Sequence, residues 1–206
     1  MIRVLGTVWC VLTASTLLAV EPEWPQFRGH GGTGIADDQK PPTQIGPDKN
    51  VAWKVAVPPG MSSPVIVGDK LFLTAFEKGK LVTLALSRTD GKELWRKEAA
   101  AKKIEAYHKT ESSPAASTPA TDGERLVVYF GSSGLVCYDL YGNELWKYEL
   151  PTAETNNDFG TGSSPILADG KVILQRDQAK DSKLICLSLK DGSRVWEVKR
   201  DSMKTS

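Results

Sequence analysis

The sequence predicts an all-β protein: a β-propeller of four-stranded antiparallel blades, with about three blades plus one N-terminal strand, an incomplete ring. Three observations carry this prediction. Trp53, Trp95, Trp146 and Trp196 recur at intervals of 42, 51 and 50 residues, the period of a propeller blade. Gly91, Gly142 and Gly192 each stand four residues before a tryptophan, where a tight turn calls for positive φ. Between these marks lie short runs rich in Val, Leu, Ile, Phe and Tyr, bounded by turn residues, which read as strands.

The chain begins differently from the rest. Arg3 precedes an uncharged apolar or small-residue run over residues 4–19, the pattern of a signal peptide occupying residues 1–20. Leu17 is bulkier than the small residue usual before a cleavage site, and a retained anchor is the competing reading. The run falls short of the roughly 18–20 residues a spanning helix needs. No second apolar run follows, so the mature chain has no membrane span, and the segment implies export to the periplasm or beyond. Residues 21–50 read as an irregular strap and residues 51–206 as the partial propeller, led by a solitary strand at 51–57 that carries Trp53.

Each blade repeats one order of parts. Pro64, Pro119 and Pro165 open the first strands, where a missing N–H does least harm. Asp69, Asp122-Gly123 and Asp169-Gly170 form the next turns. Strands follow at 70–76 and 81–86, at 125–130 and 135–140, and at 171–174 and 184–189, each pair running on into the glycine turn and the tryptophan strand. The blades therefore span about 64–98, 114–149 and 164–198. Several strands are apolar on both alternating positions, which requires both faces to be covered, as when blade packs on blade. Residues 98–105 are at most a short helical connector. A ring closes with about four to eight blades, so three blades imply either a piece of a longer chain or an open arc whose edges a partner covers.

Composition narrows the function. The 26 basic and 25 acidic side chains give a net charge of +1 and are scattered, with no basic stripe to follow a phosphate backbone, so nucleic acid is disfavoured as a partner. Cys137 and Cys186 are too few for a disulfide scaffold and have neither metal-site nor redox-pair spacing; they read as packed, inert thiols, while Cys10 lies in the leader. Gly29-His30-Gly31-Gly32-Thr33-Gly34 fits G-x-G-x-x-G formally, but no strand precedes it and Pro41-Pro42 follows where a helix should run, so it fails as a dinucleotide motif.

Two groups remain as candidate ligand-binding residues. Ser62-Ser63, Ser117-Thr118 and Ser163-Ser164 recur just before the first strand of each blade, where a propeller gathers equivalent positions around its axis; their hydroxyls can line a ligand funnel or cap backbone groups before proline. His108 and the loop 156–160, with Asp158, lie on connections between blades that shape a propeller's mouth. Two histidines without an acid or nucleophile at a telling spacing make no catalytic set, and no metal ligands are assigned.

The repeated Gly-x-x-x-Trp ending resembles the tryptophan-docking repeat of the PQQ-like propeller family, which includes quinoprotein dehydrogenases and BamB-like assembly lipoproteins. Trp95, Trp146 and Trp196 match it, and the resemblance implies that each tryptophan stacks on a peptide of the neighbouring blade as scaffold. The start Trp24-Pro25-Gln26-Phe27-Arg28-Gly29 and the stretch from His108 to Trp146 are similar to exported bacterial members of this group. The leading functional expectation is a noncatalytic periplasmic or extracellular module that binds a protein or other ligand, with partners in the cell envelope. The alternative is the N-terminal part of a PQQ-dependent dehydrogenase, which alone would bring PQQ and calcium; no Cys-Cys pair or carboxylate cluster of the kind such an enzyme uses occurs here. A BamB-like role in outer-membrane protein assembly is the second alternative.

Overall fold

The computed structural model describes residues 22–36 and 40–202; the expected signal peptide lies outside them. Three antiparallel sheets follow one another along the chain. The first contains β1 (Pro22–Trp24), β2 (Val65–Val67), β3 (Lys70–Glu77), β4 (Lys80–Ser87) and β5 (Glu93–Ala99). The second contains β6 (Ala120–Thr121), β7 (Arg125–Phe130), β8 (Gly134–Asp139) and β9 (Glu144–Glu149). The third contains β10 (Ile166–Ala168), β11 (Lys171–Arg176), β12 (Lys183–Ser188) and β13 (Arg194–Lys199). Among the described residues no helix is long and apolar enough to cross a membrane.

Each sheet is a meander, and this fixes which connections share a rim. The turns between the first and second strands and those between the third and fourth emerge on one side. The turns between the second and third strands and the long connections between blades emerge on the other. Accordingly Arg88 N–H donates to Asp69 O, and Leu189 N–H to Gly170 O, joining the two turns on the first rim in blades one and three.

Blade two shows why its strands are apolar on every position. Leu126, Val128, Phe130, Val136 and Tyr138 pack toward blade one against Val65, Phe72 and Leu81. Their alternates Val127, Tyr129, Leu135 and Cys137 pack toward blade three against Val172, Leu174, Ile185 and Leu187. A two-residue period with both faces covered leaves no polar side.

The tryptophans join the blades as the repeat implies. In each sheet the register of the last strand pair slips by one residue, so that Leu94, Leu145 and Val195 are the extra residues of a bulge and the next residue is a tryptophan opposite a small side chain: Trp95 opposite Ala85, Trp146 opposite Cys137, Trp196 opposite Cys186. Trp95 Nε1 donates to Leu140 O at 3.1 Å and Trp146 Nε1 to Leu189 O at 2.9 Å, both in the turn of the following blade. Gly142 and Gly192 in those turns have positive φ and touch the indole faces so closely that a β-carbon would sit 2.9 and 2.6 Å from ring atoms. Trp196, on the outer face of blade three, is 38% exposed.

Three expectations need correction. Residues 51–57 are not a strand: no ladder partner lies beside them among the described residues. Trp53 nevertheless docks on blade one, with Nε1 donating to Arg88 O at 2.8 Å and its ring against Gly91. The strap is not wholly irregular either, since its residues 22–24 add a fifth strand beside β2 and residues 30–32 form a 3-10 turn. Residues 98–105 form no helix: β5 runs through Ala99 and an irregular stretch follows, because the alanines there are drawn into the interblade core with Ile104.

Candidate functional site

The rim carrying the interblade connections also carries the sequence-predicted candidates. Ser63, Thr118 and Ser164 occupy equivalent places and tie the blades together: Ser63 N–H donates to Thr118 Oγ1 at 3.0 Å, and Thr118 N–H donates to Ser164 Oγ at 3.0 Å. Each tether satisfies a backbone N–H that no ladder reaches. Ser62 Oγ accepts from Thr74 N–H at 2.9 Å, within blade one. Ser117 is buried; its carbonyl accepts from Thr74 Oγ1 at 3.0 Å, and its hydroxyl has no hydrogen-bond partner. The hydroxyls of Thr118 and Ser164 thus meet backbone groups across blades.

His108 and the loop after blade two come together as an exposed platform. The imidazole stacks on Phe159, centroids 6.0 Å apart and planes at 27°, and its Nδ1 lies 3.1 Å from Thr110 Oγ1. The loop's backbone is fixed by Ser112, whose Oγ accepts from His108 N–H at 2.8 Å. Opposite, Asn157 and Asp158 both have positive φ, a conformation Asn and Asp tolerate better than most residues. Asp158 is exposed beside Phe159.

Ser163, the remaining candidate, lines a cavity of ≈ 280 Å³ between blades two and three, together with Tyr129, Thr161, Arg176, Asp177 and Gln178. Sequence reasoning missed this site. Arg176 continues the inward-facing positions Val172 and Leu174 of β11, so an arginine takes the place of an apolar residue in the blade interface and is only 3% exposed. That parity was the available signal. One guanidinium nitrogen donates to Pro151 O; Nε and the buried Tyr129 hydroxyl form no hydrogen bond of good geometry, and the guanidinium makes a weak contact with the phenol oxygen. Burial pushes the Tyr129 phenol up to about 12, against the opposing pull of the neighbouring Arg176 cation.

Glu105 lies behind the cavity, bound to Thr161 of its lining. Thr161 donates to it twice, from N–H at 3.1 Å and from Oγ1 at 3.0 Å, while Glu105 N–H donates to Ser132 Oγ at 3.0 Å. Burial raises its carboxyl pKa to about 7 despite those hydrogen bonds and the Arg176 charge, because desolvation disfavours the anion more than two donors favour it. Gly131 passes so close that a β-carbon would lie 2.4 Å from Glu105 Oε2. Asp177, in the wall itself, is held by Arg200 at 2.8 Å, which keeps its carboxyl below the usual range.

Among the described residues a calcium-bound quinone finds no matching ligand set. Among the described residues no group of three or more His, Cys, Asp or Glu side chains is placed to hold a metal, and Cys137 and Cys186 are free thiols buried in different sheets.

The model of a family described as outer membrane protein assembly factor BamB matches residues 44–162 and 78–206. No curated protein matches the chain. Among solved structures, a quinohemoprotein alcohol dehydrogenase, ADHIIG, from Pseudomonas putida HK5 superposes with a TM-score of 0.56 at 17% identity, over 72% of this chain and 22% of its own. A europium-containing methanol dehydrogenase gives 0.52 at 14% identity, over 70% and 25%. BamB from Moraxella catarrhalis overlaps at 0.49 and 16% identity, over 69% and 39%. The chain thus spans about a quarter or less of the two dehydrogenases, and at such identities they share its fold. With its tryptophan-docked blades and a family match running from residue 44 to residue 206, this chain belongs to the PQQ-like β-propeller repeat family whose model bears the BamB description.

Proposed function

We propose that the chain is a noncatalytic binding module of the cell envelope, exported by its N-terminal segment, that engages a protein partner through the rim of interblade connections. The observation that carries this reading is the His108–Phe159 platform: two aromatic rings stacked in the open, on loops whose backbones are already fixed by local hydrogen bonds. Preordered aromatic surface of this kind loses little conformational entropy on binding and suits a contact anchor. The outer-membrane assembly description of the family supports an envelope partner.

A photo-reactive amino acid placed at position 108 tests it in intact cells. The same amino acid at Lys190, an exposed residue in a turn of the opposite rim, is the control. An adduct with an envelope protein from position 108 and none from position 190 supports the module. Equal labelling from both positions, or dye reduction with alcohols or sugars by the chain supplied with PQQ and calcium, overturns it.

A further inference from the structure

We propose that the cavity between blades two and three is a binding site for a small oxyanion, a carboxylate, phosphate or sulfate, held by the Arg176 guanidinium and the Tyr129 hydroxyl. Its lining also includes Asn156 and Gly160 of the loop that carries Phe159. Arg176 Nε and Tyr129 Oη, on side chains 3% and 1% exposed, form no hydrogen bond of good geometry; the guanidinium lies near enough to the phenol oxygen to make a weak contact with it, and both residues line the cavity. Native interiors rarely leave such groups unpaired, and those that remain call for a reason. Both are donors toward a ligand: a guanidinium N–H has no lone pair to offer, and a phenol beside a cation turns its proton outward. Two converging donors select an acceptor, and the positive charge of one selects an anion.

The surrounding charges leave that demand unmet within the chain. No carboxylate of the described residues pairs with Arg176 at ion-pair distance. Asp177, its neighbour, is engaged by Arg200 and by Gln175 Nε2. Glu105 is engaged by Thr161 and acts on Arg176 only across space. Gln178, which also lines the cavity, has its amide bound on both sides, its oxygen accepting from Glu154 N–H at 3.4 Å and its nitrogen donating to Asp181 O at 3.1 Å. The arginine is therefore a buried cation in the cavity lining with one carbonyl partner, a weak contact with the Tyr129 phenol and no countercharge at ion-pair distance among the described residues. An oxyanion supplies both the countercharge and the missing acceptor.

The test measures thermal unfolding of the full chain against rising concentrations of sodium acetate, phosphate and sulfate, each at an ionic strength matched with chloride, with affinities for the stabilising anion from calorimetry. A saturable rise in Tm with at least one of the three is expected, and which of them gives it identifies the ligand class. Tyr129→Phe removes one oxygen that makes no hydrogen bond of good geometry within the chain, so it keeps the fold. It should weaken binding about tenfold, the loss of one hydrogen bond to a charged ligand. Arg176→Gln should abolish binding; if that variant fails to fold, Tyr129→Phe decides. No saturable rise with any of the anions, or undiminished affinity in Tyr129→Phe, overturns the proposal.

Discussion

Trp146 rests its indole on the α-carbon of Gly192, where a β-carbon would sit 2.6 Å from Cε3, and the same indole donates to Leu189 O at 2.9 Å. Turn and ring are thus one joint: the glycine is required by its φ of 71° and again by the ring above it. Gly192→Ala should lower stability by about 3 kcal/mol, combining left-handed backbone strain with steric overlap. A shift of the urea midpoint at unchanged slope measures it.

The four tryptophans should not be equivalent. Trp146 is 8% exposed and hydrogen-bonded to the next blade, whereas Trp196 is 38% exposed with no such joint among the described residues. Trp146→Phe should cost about 2 kcal/mol, from a lost buried hydrogen bond and a smaller ring. Trp196→Phe should cost under about 1 kcal/mol, as for a surface change. The difference in Tm between the two variants is the readout.

Glu105 should make stability fall as pH rises from about 5 to 8. Its folded pKa, about 7, lies above the ordinary value of 4.5, so in that window the folded state holds a proton the unfolded state has lost. The contribution is greatest below the unfolded value and is lost as pH passes the folded one. Its full extent is about 3 kcal/mol. Glu105→Gln should flatten this part of the pH–stability curve, and chemical denaturation at several pH values tests it.

Thr118→Val keeps the shape of the side chain and removes the acceptor for Ser63 N–H. The blade one–blade two tether should weaken by about 1 kcal/mol. Faster amide exchange at Ser63, with exchange in β11 and β12 unchanged, would locate the loss at that seam.

Cys137 and Cys186 should resist thiol reagents in the native state. Burial pushes the Cys137 thiol up to about 12 and raises that of Cys186, so almost no thiolate is present at pH 8. Labelling by a chromogenic disulfide should proceed only as fast as the blades open, and should become rapid in denaturant.

Much of the fold was written in residues that do one thing. Gly91, Gly142 and Gly192 mark turns, the tryptophans mark blade ends, and the continuous apolar runs of β7 and β8 mark double-sided burial; each of these signals is local and repeated. The strap was illegible because its strand, 22–24, exists only through pairing with β2, some forty residues later, and nothing in Pro22-Glu23-Trp24 alone favours a ladder. Residues 51–57 misled in the opposite way, having strand composition but no neighbour to pair with. The candidate hydroxyls were found in sequence because they repeat. The cavity was not, since Arg176, Tyr129 and Glu105 occur once each and meet only when two blades stack.

The strap has a consequence for how the protein comes apart. It pairs with β2 of blade one, binds Arg88 through Glu23, receives Thr121 N–H of blade two on Pro25 O at 2.8 Å, and reaches with His30 and Gly31 into a hollow shared with Asp169 and Gly170 of blade three. An array of repeats touching only its neighbours can fray from either end one unit at a time. A segment laid across three units couples the ends to the middle, so blade one cannot leave without releasing a contact on blade two. A row of modules strapped in this way should melt as a single body.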